Sequence, residues 1–256
     1  MGDELMAAGE ARRRFAENGR PAIIVSGRDG RARWSDLWQG LPYILKRPNG
    51  RPFNRIVSGG GVRPYIAAKA ADRWTWKPYV PHPAEIVFTE AERQFAKPYR
   101  GMVMIEPNVK DVGHTNKAWT WRNWQHLVVD VPVHEAKWVQ AVASRKTPHL
   151  AGAFPVDTPT FRHALAVLSV CRAFVGTEGG MMHGAAAVGT PAVILWSEFI
   201  SPEITGYAMH RNIRHAGKPC GMRTNCPGCR QSMDAITVEE VVKNLKEVLD
   251  ERAREV

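Results

Sequence analysis

The chain predicts an α/β protein made of two Rossmann-like layers facing a cleft, the first of them short. Two observations carry this. Short apolar runs alternate with longer amphipathic ones in both halves of the sequence, the pattern of parallel strands joined by helices. Several of those runs end in glycine-rich turns, where such sheets bind ligands. The 256 residues, 44% apolar and 23% charged, suffice for two cores of ordinary size. Disordered, collagenous and low-complexity classes are excluded, and no repeat of fixed period is present.

The elements follow in order. Asp3 is a natural N-cap for a helix over 4–17, which Asn18-Gly19 stops. Ala22 to Ser26 reads as a buried strand ended by Gly27, with shorter strands at 43–45, 55–58 and 85–88. Three consecutive glycines, Gly59 to Gly61, end the 55–58 run. Prolines 78, 81, 83 and 98 punctuate the middle, and the stretch Phe95 to Gly101 reads as the linker. The predicted domains are therefore 1–97 and 98–256. A strand at 102–105 and a helix from Trp121 to Val129 open the second. A helix over 158–169, capped by Asp157 or Thr158, precedes a strand at 173–175. A helix over 181–188 and a strand over 192–196 follow. Thr237 and Glu240 form a capping box for a last helix to about Arg252.

The net charge of +10 is uneven. Residues 1–100 hold 18 Lys plus Arg against 10 Asp plus Glu, and residues 101–256 hold 17 against 15. Aromatics are interleaved with the basic residues between Arg12 and Arg73. Such a surface attracts anions, and it is also compatible with a solvated face over an ordinary aromatic core. The longest weakly polar run, Gly184 to Trp196, has 13 residues, too few to span a bilayer. Met1 to Arg14 lacks the apolar stretch of a secretory signal, and four cysteines make no disulfide framework, so a reducing cytoplasm is the expected compartment.

Three clusters can carry chemistry. Phe174-Val175-Gly176-Thr177-Glu178-Gly179-Gly180-Met181-Met182-His183 reads as strand, glycine turn and helix start. Exposed N–H groups at the positive end of a helix hold phosphates. Glu178 can accept from ribose hydroxyls and His183 can donate to a phosphate, although a tight strand-to-helix turn without ligand has the same look. Glu106-Pro107-Asn108-Val109, with Lys117 beyond, opens at the end of a strand, and Lys117 suits a phosphate as a point charge. Trp121 and Trp124 are expected to pack as one helix face. The third cluster is Cys220, Cys226 and Cys229, with His215 upstream. Three Cys and one His can hold zinc tetrahedrally, or the thiols are simply reduced in a loop. Cys171 reads as core.

Gly2-Asp3 before a first helix, Lys117-x-Trp119-x4-Trp124, and Glu178-Gly179-Gly180-Met181-Met182-His183 followed by Gly189-Thr190-Pro191 together resemble glycosyltransferase family nine, the heptosyltransferase-like group with the GT-B fold. The resemblance spans nearly the whole chain and is most specific over 102–202. It departs at Glu178, where the family usually has Asp, and the family's first strand would precede Gly2.

The resemblance implies an inverting, metal-independent glycosyltransferase using a nucleotide-diphosphate sugar. Asp3 would deprotonate the acceptor hydroxyl. Glu178 would contact the nucleoside, while Lys117, Gly179, Gly180, Met181 and His183 would hold the donor pyrophosphate. The basic excess, with Arg12, Arg13 and Arg63, falls on the acceptor side and implies an anionic acceptor. That acceptor is a surface glycan of lipopolysaccharide type or DNA carrying a hydroxymethylated pyrimidine. A sugar-nucleotide epimerase or hydrolase on the same fold and a non-catalytic nucleic-acid module are the other readings.

Overall fold

A computed structural model describes residues 1–109, 115–129, 136–142, 147–215 and 217–254. Helix α1 runs Gly2–Asn18 and stops at Gly19, whose φ of 68° is the left-handed conformation that a Cβ disfavours. Strand β1 (Ala22–Val25) is buried throughout and pairs in parallel with β2 (Asn54–Val57). The expected strand at 43–45 contributes a single parallel bridge, Ala22 to Ile44. Strands β3 (Ile66–Lys69) and β4 (Trp74–Trp76) form an antiparallel hairpin. Helix α2 (Glu90–Ala96) carries a complete capping box, Thr89 with Glu92.

The second half is one six-stranded parallel sheet. Its strands are β5 (Val103–Glu106), β6 (Trp138–Val142), β7 (Ala153–Asp157), β8 (Ala173–Thr177), β9 (Ala192–Trp196) and β10 (Arg211–Arg214). Their spatial order is β10-β9-β8-β5-β6-β7, the 3-2-1-4-5-6 order of a Rossmann sheet. Helices α3 (Trp121–Val129), α4 (Phe161–Val170), α5 (Gly180–Val188), α6 (Pro202–Thr205), α7 (Pro227–Asp234) and α8 (Val238–Arg254) lie among them.

Two apolar clusters cover the sheet's faces. One gathers Phe174, Ile194 and Trp196 with α4, α5 and the first helix. The other gathers Val175, Val193 and Leu195 with Trp124, Leu127 and α8. Alternate residues of β8 and β9 therefore serve opposite faces, as the period of two requires. On α8 the buried residues are Val238, Val241, Val242, Leu245, Val248 and Leu249, a stripe at helical spacing. Among the described residues no helix is long and apolar enough to cross a membrane.

Several expectations are corrected. Residues 85–88 form no strand; the Val87 carbonyl accepts from the Arg162 guanidinium instead of from a neighbouring strand. Asp3 lies inside the first turn of α1 and does not cap it. Helix α4 is capped by Thr160, which accepts from the His163 N–H, and not by Asp157 or Thr158. The stretch Phe95 to Gly101, read as the linker, contains the end of α2 and a 3₁₀ turn over Lys97–Tyr99. Trp121 and Trp124 do not pack together as one buried face: Trp124 is fully buried, edge-on to Trp119, and Trp121 is exposed.

A buried cation is one of the links between the N-terminal elements and the sheet half. Arg162 of α4 donates through Nε and Nη2 to the Glu92 carboxylate at 2.6 and 2.7 Å. The same side chain reaches the Asp36 carbonyl at 2.9 Å and the Val87 carbonyl at 2.7 Å. All three of its nitrogens are engaged, which is what lets a guanidinium be buried.

Candidate functional site

In a sheet of this order the chain leaves β5 toward one edge and returns to β8 to build the other. The crevice at the carboxyl ends of β5 and β8 is where such sheets bind ligands. Glu106 ends β5, Thr177 ends β8, and Glu178 follows directly. Helix α5 then starts at Gly180, after Gly179 in an extended conformation.

Lys117 and Glu178 meet in this crevice as a well-shielded ion pair. Lys117 also lies 4.8 Å from the Phe199 ring centroid. It comes from a 3₁₀ turn, Thr115–Lys117, which Asn116 anchors. The Asn116 amide donates to the Met222 and Thr224 carbonyls at 2.8 and 2.7 Å and accepts from the Cys226 N–H at 3.0 Å. Glu106 accepts from the Asn108 N–H at 2.8 Å, and burial pushes its carboxyl up to about 7.

The first turn of α1 enters the same place. A Cβ on Gly2 would lie 2.9 Å from the His183 ring and 3.5 Å from Gly180, so glycine is what allows α1 to reach α5. Asp3 then faces Arg63, with Nε donating to Oδ2 at 2.7 Å, and Tyr65, whose hydroxyl donates to Oδ1 at 3.3 Å. Burial raises the Tyr65 phenol well above its ordinary value, and Asp3 and Glu178 add to this. Burial of Arg63 works against its charge, but Tyr65, Asp3 and Glu178 outweigh it. Asp3 and Glu178, 175 residues apart in sequence, thus act on the same two side chains.

His183 is buried beneath α1, with Nδ1 2.9 Å from the Tyr207 hydroxyl. Burial lowers its pKa to about 4, so the ring is neutral at pH 7. It supports the turn rather than presenting an exposed cation. Gly179, Gly180 and the half-buried Met181 form the turn itself.

Arg12 and Arg13 are not part of this assembly. They lie roughly 14 Å along α1 from Asp3. Arg12 pairs with Glu85 at 2.9 Å, and Arg13 with Glu10 at 2.7 Å and with Glu17. Arg63 is at the site, but its Nε serves Asp3.

The three thiols do come together. Cys220 Sγ is 3.8 Å from Cys226 Sγ and 3.4 Å from Cys229 Sγ, and all three lie within 4.8 Å of one another. Tetrahedral thiolates around a zinc ion sit about 3.8 Å apart, so the spacing and the soft donors both suit a metal. His215 is corrected: its Nε2 is 2.7 Å from Glu240 Oε2, and it is not in the thiol cluster. That contact also takes the Glu240 carboxylate, so only the Thr237 half of the expected capping box forms. Cys171 is buried core, its thiol pushed up to about 12 by burial.

Sequence reasoning missed Tyr65 and Tyr207. No motif marks either; each is found through its contact with Asp3 or His183.

No family model and no curated protein sequence matches the chain. Solved structures do. The chain is similar to the dodecameric glycosyltransferase TibC from enterotoxigenic E. coli H10407, described as iron-containing, with a TM-score of 0.58 and 13% identity over 99% of this chain and 74% of that one. It is similar to E. coli ADP-heptose lps heptosyltransferase II with a TM-score of 0.51 and 21% identity, over 69% of this chain and 56% of that one. A glycosyl transferase family 9 structure from Veillonella parvula DSM 2008 aligns at a TM-score of 0.49 and 15% identity, over 67% and 55%. The chain thus spans little more than half the length of these last two proteins. The fold is that of the GT-B heptosyltransferase structures, as the motifs predicted.

Proposed function

We propose that the chain is a glycosyltransferase that moves a sugar from a nucleoside-diphosphate donor to an acceptor hydroxyl with inversion. The observation that carries the reading is the meeting of Asp3 with Lys117 and Glu178 at the crevice between β5 and β8. A carboxylate, a cation and a helix N-terminus are the parts this reaction needs. In this reading residues 98–256 hold the donor and residues 1–97 present the acceptor.

Asp3 takes the proton of the acceptor hydroxyl as its oxygen bonds to the anomeric carbon. The bond from that carbon to the distal phosphate oxygen breaks, and the nucleoside diphosphate leaves. Lys117 and the first N–H groups of α5 bear the charge that develops on it. Glu178 orients donor hydroxyls and holds Lys117 in place before the donor arrives. Arg63 and Tyr65 fix the Asp3 carboxylate in one geometry, which matters because a base must lie within hydrogen-bond reach of its proton.

The acceptor is an anionic glycan in this reading. Trp38 of the basic aromatic stretch is fully buried, and Arg12 and Arg13 are taken by carboxylates, which leaves less of that stretch for duplex DNA. The thiols of Cys220, Cys226 and Cys229 would hold a structural zinc, which would pin the loop carrying the Asn116 contacts.

A thermal-shift screen against nucleoside diphosphates and their sugars tests the reading, because a ligand bound by the native state alone raises the melting temperature. At least one should stabilise the protein, and Glu178→Ala should abolish the shift. No shift with any of them defeats the proposal.

A further inference from the structure

Three cations gather around one indole beside the candidate base. The Arg63 guanidinium carbon is 5.0 Å, the Lys69 ammonium 5.4 Å and the Arg223 guanidinium carbon 4.9 Å from the Trp74 ring centroid. They come from the loop before β3, from the end of β3, and from the loop that carries the thiols. The last contact is held by the backbone: the Arg223 N–H donates to the Asp72 carbonyl at 2.7 Å, and the Trp74 N–H to the Gly221 carbonyl at 2.9 Å. Among the described residues, Asp3 on Arg63 is the one carboxylate within ion-pair distance of any of the three. Lys69 spends one proton on the Gly61 carbonyl, and Arg223 makes no side-chain hydrogen bond among the described residues.

Like charges do not collect without a reason. An indole face attracts each cation, but the cations repel one another. Burial and the nearness of Arg63 and Arg223 lower the Lys69 pKa. Lys69 and Arg223 are both exposed, so a ligand can reach them.

We propose that this cluster is a phosphate subsite, and that the acceptor carries a phosphomonoester near its reacting hydroxyl. The inference rests on the glycosyltransferase reading and adds the acceptor's chemical class. Two guanidinium forks and an ammonium suit the several oxygens of a phosphate better than the two of a carboxylate. The cations converge on one ring, a single focus of charge, whereas a nucleic-acid backbone asks for a track of them. Arg63 joins the subsite to the base: Nε holds Asp3, and both Nη atoms are without a hydrogen bond to the described residues. The phosphate therefore sits one guanidinium away from the carboxylate that takes the acceptor's proton.

The test is calorimetric titration at fixed ionic strength with orthophosphate, a hexose 6-phosphate, the unphosphorylated hexose and a short DNA duplex. The proteins are the parent, K69Q, K69Q/R223Q and K46Q. Lys46 sits alone over Trp34 at 4.7 Å and serves as the control cation. The expected result is hexose phosphate binding that weakens at least tenfold in K69Q/R223Q, weakens less in K69Q and is unchanged in K46Q. The hexose should not bind. Matched thermal melts check folding, and K69Q alone decides the matter if the double variant melts early. Equal phosphate affinity in the parent and K69Q overturns the proposal. Duplex binding that needs these residues, without hexose phosphate binding, also overturns it. Nucleoside diphosphate shifts are read on the same proteins. Their loss in K69Q/R223Q alone would assign the cations to the donor site and overturn the subsite. Their absence in the parent would defeat the glycosyltransferase reading while the phosphate titration still reports on the cluster.

Discussion

Glu106 shows how one buried side chain links the sheet to pH. Its carboxyl is raised to about 7, above the usual carboxylate range, so the folded protein holds a proton that the unfolded chain releases. The sign follows: stability falls as pH rises through the interval from about 4.5 to 7. Glu106→Gln keeps an oxygen for the Asn108 N–H and removes the buried charge. Its melting temperature should exceed that of the parent at pH 8 and approach it at pH 4, as scanning calorimetry will show. The ion pair at the crevice makes a second prediction. Lys117→Ala removes the ion pair with Glu178 and the proposed pyrophosphate contact. Nucleoside diphosphate affinity should drop by tenfold or more, about 1.4 kcal/mol, in a titration. An unchanged affinity would remove Lys117 from the donor site.

At the scale of elements, the 3₁₀ turn Thr115–Lys117 is set by a residue that contacts no proposed substrate. Asn116 makes three hydrogen bonds to the loop 222–226. Asn116→Ala strands two carbonyls and one N–H, at a cost of about 1–3 kcal/mol for a buried group left unpaired. It should lower stability and weaken nucleotide binding together, and a denaturant titration beside a binding titration will separate the two.

Most elements were legible in the sequence for identifiable reasons. Strands β1, β5, β8 and β9 are apolar runs bounded by glycine or charge, and Gly19 and Gly189 stop helices at left-handed φ of 68° and 71°. Strands β6 and β7 went unread because Gln140 and Pro155 interrupt their apolar pattern. Gln140 is buried, yet its amide is satisfied by Pro148 and Leu150, which only the fold reveals. The Gly-Asp pair, Lys117, Glu178 and His183 stood out as motifs. Tyr65 and Tyr207 are joined to the site only by the fold, and of the grouping around Trp74 only Arg223 comes from a distant segment, brought in by the Asp72 and Gly221 backbone contacts. His215 misled because a histidine shortly before a cysteine looks like ligand spacing, while a carboxylate on α8 is the nearer partner.

For the molecule as a whole, Arg162 is the test of unity. It is buried, and so is Glu92, whose carboxyl its hydrogen bonds lower to about 2. That stabilisation is complete above the ordinary carboxylate range and is lost as pH falls from about 4.5 toward 2. Arg162→Met leaves a buried carboxylate unpaired and should cost about 3–5 kcal/mol, seen as a lower denaturation midpoint. Restoring neutrality with Glu92→Gln in the same chain should recover part of the loss, because the two sites are coupled.

The Arg162 contacts have a consequence for how substrates meet. One guanidinium bolts residues 36, 87 and 92 to the helix that flanks α5. Asp3 and Glu178 thus stand on elements that this guanidinium, and the close approach of α1 to α5 at Gly2, tie together. A stiff molecule that mimics donor and acceptor at once would gain affinity to the extent that the protein already holds the two carboxylates in their bound geometry.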